Sequence, residues 1–150
     1  METGYTVDQV MTRDVLSTSP DSTILECAVL MAEKELGSTV VLKEDKVIGI
    51  LTEQDLARKV MARKLDPTTT KVEEVMTKEV STVSPEEDVY YAMVQMGQNK
   101  IKHLPVIKDS KLQGIISFKD VIKIQPDLID LINFKSSIAE LKSKNNDEDV

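Results

Sequence analysis

The chain repeats itself. Sliding the 150-residue sequence by 65 positions aligns Val10–Leu56 with Val75–Val121 without a gap, and 14 of the 47 aligned pairs are identical. The identities include Val10/Val75, Met11/Met76, Thr12/Thr77, Ser19/Ser84, Pro20/Pro85, Met31/Met96, Gly49/Gly114, Ile50/Ile115 and Asp55/Asp120. Other pairs keep their apolar character, as in Ile24/Val89, Leu36/Ile101 and Leu51/Ile116, and Val41/Val106 is a further identity. Chance does not hold Gly, Pro and Asp in step over such a stretch. Two copies at so long a period are too few for a solenoid. The expectation is a pseudo-twofold pair of like units.

Each copy reads the same way. Val15–Thr18 and Val80–Val83 are short β-branched runs closed by Ser-Pro and predict strands. Pro20 and Pro85 suit the entry to a helix, with Asp21-Ser22 and Glu86-Glu87-Asp88 near its positive end. Helical spacing follows in Ile24, Ala28, Met31 and Leu36, and in Val89, Met93, Met96 and Ile101. Paired apolar runs with polar tips predict hairpins, Thr39–Leu42 with Val47–Leu51 and Leu104–Ile107 with Leu112–Ile116. A last helix starts at Glu53 and at Phe118. The predicted fold is α/β (α+β): two β-α-β-β-α units and a C-terminal helix. Residues 1–64 form the first repeat with its lead-in, 65–71 a linker and 72–125 the second repeat. Residues 126–142 carry an amphipathic helix (Leu131, Phe134, Ile138, Leu141), and 143–150 are expected to be a disordered tail.

Composition narrows the function classes. At 41% apolar and 30% charged the chain is in the globular range, and its five aromatic residues leave an aliphatic core. A net charge of -7 argues against nucleic acid as a partner, since that needs a basic face. A small anionic ligand requires only local cations. The single Cys27 excludes an internal disulfide and a multi-cysteine zinc site and fits a reducing cytosol. No apolar run approaches the ~20 residues of a membrane span, so a cytoplasmic protein is expected.

With these elements placed, the residues resemble a known module. Gly49-Ile50-Leu51-Thr52-Glu53-Gln54-Asp55 and Gly114-Ile115-Ile116-Ser117-Phe118-Lys119-Asp120 share a Gly-apolar-apolar-[Thr/Ser]-x-x-Asp pattern. Together with the Met-Thr lead-ins, the Ser-Pro turns and His103-Leu104-Pro105-Val106-Ile107, they resemble a tandem CBS (cystathionine-β-synthase-type) domain pair, or Bateman module, over roughly Val10 to Ile124. The resemblance implies a ligand-sensing module for adenosine-containing molecules (AMP, ADP, ATP or S-adenosylmethionine), bound in the cleft between the repeats. It also implies assembly as a homodimer and an effector protein that reads the ligand state.

The candidate site residues carry two readings. Thr52/Asp55 and Ser117/Asp120 have the spacing of helix caps. The same helix start favours a polar ligand, and a carboxylate accepts two hydrogen bonds from a ribose diol. The resemblance assigns ribose to Asp55 and Asp120. Phosphate requires cations: Lys100, Lys102 and His103 cluster before the second strand of the second copy, and Arg58, Lys59, Arg63 and Lys64 lie on the helix after Asp55; Lys102, His103 and Arg58 are the candidates, while Arg63 and Lys64 read as a solvated face. Gly37-Ser38 occupy the equivalent of Lys102-His103 and carry no charge. The resemblance places Lys102 and His103 beside the phosphates of the site whose aspartate lies in the other copy, so the expected ranking is a stronger site for phosphorylated ligands at Asp55 and a weaker one at Asp120. For the adenine slot the resemblance points to Val15, Leu16 and Val80, with Ser19 and Ser84 nearby. The alternative for the valines is plain core, and for the serines turn hydroxyls.

The catalytic inventory is thin. His103 is the only histidine, Cys27 reads as a small core residue, and the phosphate-loop, nucleophile-elbow and dinucleotide motifs are absent. No metal site and no obligatory cofactor are expected. The expectation is therefore a non-catalytic sensor, set against a ligand-free homodimerisation scaffold acting through its surface and C-terminal helix.

Overall fold

The computed structural model describes residues 2–124. The C-terminal helix and tail expected beyond Pro126 lie outside them. In chain order the elements are α1 (Val7–Val10), β1 (Ser17–Thr18), α2 (Ile24–Glu33), β2 (Ser38–Lys43), β3 (Lys46–Thr52) and α3 (Glu53–Asp55). A π-helical stretch, Leu56–Met61, continues α3, and a 3-10 turn follows at Val72–Glu74. Then come α4 (Val89–Asn99), β4 (His103–Lys108), β5 (Lys111–Ser117) and α5 (Phe118–Ile124). The β-α-β-β-α order predicted from the repeat is present in both copies, with the first strand of the second copy reduced to a single bridge.

Two compact units divide the chain. The first-repeat unit holds Arg13–Val80 with Lys108–Leu112; the second-repeat unit holds residues 2–12, Ser81–Ile107 and residues 113–124. Each unit thus takes its lead-in from the other repeat. In the second-repeat unit Thr12 N–H donates to the Ile115 carbonyl at 2.8 Å, and Ile115 N–H returns the bond at 2.9 Å. In the first-repeat unit Thr77 and Ile50 exchange the same pair at 2.9 and 3.0 Å.

The first-repeat unit has a three-stranded sheet in the order β1-β2-β3. β1 runs parallel to β2 through Ser17↔Val40 and Thr18↔Val41. β2 and β3 are antiparallel from Ser38↔Thr52 to Lys43↔Lys46, with a register shift at Val41/Leu42. Glu44 and Asp45 both take positive φ (50° and 62°), which makes the tip a tight two-residue turn rather than the four-residue tip the sequence suggests. Thr23 caps α2: its side chain accepts from Glu26 N–H while the Glu26 carboxylate accepts from Thr23 N–H. Pro20 sits in the preceding turn, three residues before that cap, because Ser22 N–H closes on the Ser19 carbonyl first. Ile24, Cys27, Val41, Leu51, Val60, Val72 and Val75 form the buried cluster, aliphatic as expected.

The second-repeat unit pairs β4 with β5. The predicted strand Val80–Val83 survives only as a parallel bridge from Val83 to Val106. Its core gathers Val7, Met11, Val83, Val89, Ala92, Met93, Met96, Leu104, Val106, Ile116 and Val121. Asp88 caps α4 by accepting from Tyr90 N–H at 2.8 Å. The same carboxylate accepts from Thr3 N–H, the Thr3 hydroxyl and Gly4 N–H, which ties down the N-terminal segment. Desolvation pushes the Asp88 carboxyl up, but the bonds from Tyr90, Thr3 and Gly4 outweigh it and hold it below its ordinary 3.8. A depressed carboxyl stabilises the fold above its ordinary value and loses that contribution as pH falls below it, through the lowered value of the folded state. Acidification is therefore expected to release residues 3–4 before the core opens. In Asp88→Ala the segment should already be free at neutral pH, at a cost of about 1 kcal/mol for the lost cap. Amide exchange of Thr3 and Gly4 against pH measures both.

Candidate functional site

Both candidate turns form where a buried strand ends. β3 delivers Leu51, fully buried, and then Thr52; β5 delivers Ile116, fully buried, and then Ser117. Thr52 is extended (φ -120°, ψ 164°) while the next residues are helical, so the chain turns at its side chain. The Thr52 hydroxyl accepts from Asp55 N–H at 3.3 Å and donates to Asp55 Oδ2 at 3.1 Å; Thr52 N–H donates to the same oxygen at 3.0 Å. Ser117 and Asp120 repeat the arrangement, with Ser117 N–H and Oγ each 2.9 Å from Asp120 Oδ2 and Asp120 N–H 3.3 Å from Oγ. The capping reading of these four residues is thus realised in each unit. It leaves Oδ1 of each carboxylate outside the cap.

The residue before the hairpin closes each turn from behind. Glu53 N–H donates to the Gly37 carbonyl at 3.1 Å, and Phe118 N–H to the Lys102 carbonyl at 2.9 Å. Within the second-repeat unit, then, the Lys102 main chain abuts the Asp120 turn. Gly37-Ser38 occupy the equivalent place beside Asp55. His103 opens β4 half-buried, and Lys102 is exposed.

The two carboxylates differ in surroundings. Asp55 is 7% exposed, whereas Asp120 is half-buried. Lys59, one turn on, places its ammonium 2.9 Å from Asp55 Oδ1, 3.0 Å from the Val75 carbonyl and 3.4 Å from the Thr77 hydroxyl. In the sequence Lys59 reads as part of a basic helix face; the signal for its actual place is the Asp-Lys spacing of four. The 65-residue shift puts Ile124 at the equivalent position, so Asp120 has no ammonium there. Arg58 is exposed.

The remaining candidates fall around the first strands. Val15 and Leu16 are half-buried, as is Val80, and none belongs to the two buried clusters of the described residues. The Leu16 carbonyl accepts from Val40 N–H and from the Thr39 hydroxyl. Ser19 Oγ accepts from Asp21 N–H, and Ser84 Oγ donates to Glu86, so both hydroxyls serve turns. Cys27 is buried; desolvation pushes its thiol up, partly offset by the bond to the Thr18 hydroxyl, which leaves it protonated and inert. A cavity of about 470 Å³ lies elsewhere, lined by Glu2, Gly4, Thr6, Glu86, Glu87, Asp88 and Tyr91, and its acidic wall is unsuited to phosphate. Among the described residues no helix is long and apolar enough to cross a membrane.

A strand-to-helix turn closed by a capping hydroxyl and a carboxylate is thus built once in each repeat. The CBS domain family matches residues 7–62 and 72–127, and the chain belongs to that family as a tandem pair. An uncharacterized protein of Methanopyrus kandleri is 35% identical over 128 residues, covering 84% of this chain; the chain spans 65% of that relative's length. A protein with CBS domains from Burkholderia ambifaria superposes with a TM-score of 0.77 at 34% identity, covering 82% of this chain and 96% of the other. The CBS domain pair of protein MJ0100, in complex with 5′-methylthioadenosine and S-adenosyl-L-methionine, superposes with a TM-score of 0.74 at 23% identity, covering 80% of this chain and 94% of the other.

Proposed function

We propose that the chain is a non-catalytic regulatory module that binds an adenosine-containing ligand through the Thr52–Asp55 and Ser117–Asp120 turns. The observation that carries the reading is the repeated cap, which fixes a carboxylate at the start of a helix by one oxygen and directs its other oxygen away from the cap. A ribose diol donates two hydrogen bonds and suits such an acceptor. The half-buried Val15, Leu16 and Val80 offer apolar surface to a flat base, Arg58 and Lys102 supply charge for a phosphate, and His103 supplies a polar ring. The ligands of the MJ0100 pair are both adenosine compounds, which supports this class. In the same proposal the protein acts as a cytoplasmic homodimer and passes its ligand state to an effector protein.

The assignment of Lys102 and His103 implied by the resemblance ranks Asp55 first for phosphorylated ligands. Bonding inside each unit argues the reverse for the ribose itself, because Asp55 is buried and held by Lys59 while Asp120 is half-buried beside Lys102. Thermal shift with adenosine, AMP, ADP, ATP and S-adenosylmethionine tests the reading. At a concentration of about 100 times the dissociation constant, a ligand adds roughly 2.7 kcal/mol and a clear rise in Tm. Titration calorimetry should then show a larger loss of affinity in Asp120→Asn than in Asp55→Asn. A panel with no shift at all sinks the sensor and leaves the scaffold reading.

A further inference from the structure

We infer that Lys59 is a specificity-determining residue that latches the Asp55 turn against a ribose diol, so that the two repeats of one chain hold unlike sites. The inference rests on the proposed role of Asp55 and Asp120 as diol acceptors. A carboxylate has about four lone-pair positions. At Asp55 three are in use: Thr52 N–H and Oγ take two on Oδ2, and the Lys59 ammonium takes one on Oδ1. One position remains, and a chelated diol needs two. Binding there requires Lys59 to let go. The ammonium has three donors, and its other two acceptors, the Val75 carbonyl and the Thr77 hydroxyl, stay with it after release. Release is therefore an exchange of partners rather than the stranding of a charge, which makes Lys59 a latch and not a permanent block. With Ile124 at the equivalent position, the Asp120 turn has no lysine at that spacing.

Adenosine is the probe, because it has the diol and no phosphate that a lysine could attract. In an Asp120→Asn background, which leaves only the Asp55 turn, Lys59→Met is expected to tighten adenosine binding about threefold to tenfold by titration calorimetry, a modest gain because the ammonium keeps two other acceptors when it releases Asp55. A lysine with a merely structural role gives the opposite or no change. The reciprocal variant guards against misfolding of the first. In an Asp55→Asn background, Ile124→Lys installs the amine four residues after Asp120 and is expected to weaken adenosine by a similar factor. Equal or weaker binding in Lys59→Met, or no weakening in Ile124→Lys, overturns the latch. If adenosine binding survives Asp55→Asn combined with Asp120→Asn, the diol reading itself has failed, and the latch falls with it for a separate reason.

Discussion

Leu51→Ala is expected to destabilise the first-repeat unit by about 2–5 kcal/mol, toward the upper part of that range. Leu51 is fully buried among Ile24, Cys27, Val41, Val60, Val72 and Val75. Four of these neighbours are valines, whose branched Cβ restricts them to one or two rotamers, so they cannot swing in to fill the space a leucine leaves. The cavity therefore persists and its cost adds to the lost transfer energy. Domains of this kind are stable by only about 5–15 kcal/mol, so the change removes a large part of the reserve. Thr52 follows Leu51 directly, and a loosened strand end carries the Asp55 cap with it. Urea denaturation followed by circular dichroism measures the effect, with Leu25→Ala on the exposed side of α2 as a control expected within about 0.5 kcal/mol. A loss for Leu51→Ala no larger than that of the control would show that the unit does not close on this residue.

Much of the fold is legible in the order of the amino acids. Helical spacing locates α2 and α4, because their apolar positions face one core each and recur at the period of a helix. The hairpins are legible because both faces of β2 and β4 are largely buried, which leaves continuous apolar runs bounded by charged tips. Thr52/Asp55 and Ser117/Asp120 announce themselves by cap spacing, and both caps form. The second copy's first strand does not, since Val80–Val83 has the composition of a strand but makes a single bridge, and composition alone does not report a partner. Lys59 is visible as a charge yet not as a latch, because its three acceptors come from two segments far apart in sequence. The exchange of lead-ins is hidden for a related reason. A repeat says which residues are alike, not which body each lead-in docks on, and α1 and the Val72–Glu74 turn are too short to carry a period of their own. The glycines in step at 49 and 114 are the one available sign, since glycine inside a strand marks a close approach of another backbone.

That close approach yields the second large effect. Gly114→Ala is expected to cost about 1–3 kcal/mol, with the loss concentrated in the docking of residues 9–12. A Cβ on Gly114 would sit 2.7 Å from the Thr12 carbonyl oxygen and 2.8 Å from Met11 Sδ. The methionine is flexible and can withdraw. The carbonyl cannot, because Thr12 is bonded to Ile115 through both its N–H and that same oxygen. Relief of the clash therefore requires the lead-in to lift. At Gly49 the crowding falls instead on the side chain of Met76, and the nearest main-chain atom, the Thr77 oxygen, is 3.1 Å away. Gly49→Ala should accordingly cost less, and Met76→Ala in the same chain should recover part of the loss. Met11→Ala should recover little of the loss in Gly114→Ala, because its obstacle is main chain. The two double-mutant cycles, read as shifts in urea midpoint, separate side-chain from backbone crowding. Amide exchange at Thr12 and Ile115, faster in Gly114→Ala while the amides of α4 stay protected, would place the damage at the lead-in; uniform loss across the unit would place it in the core.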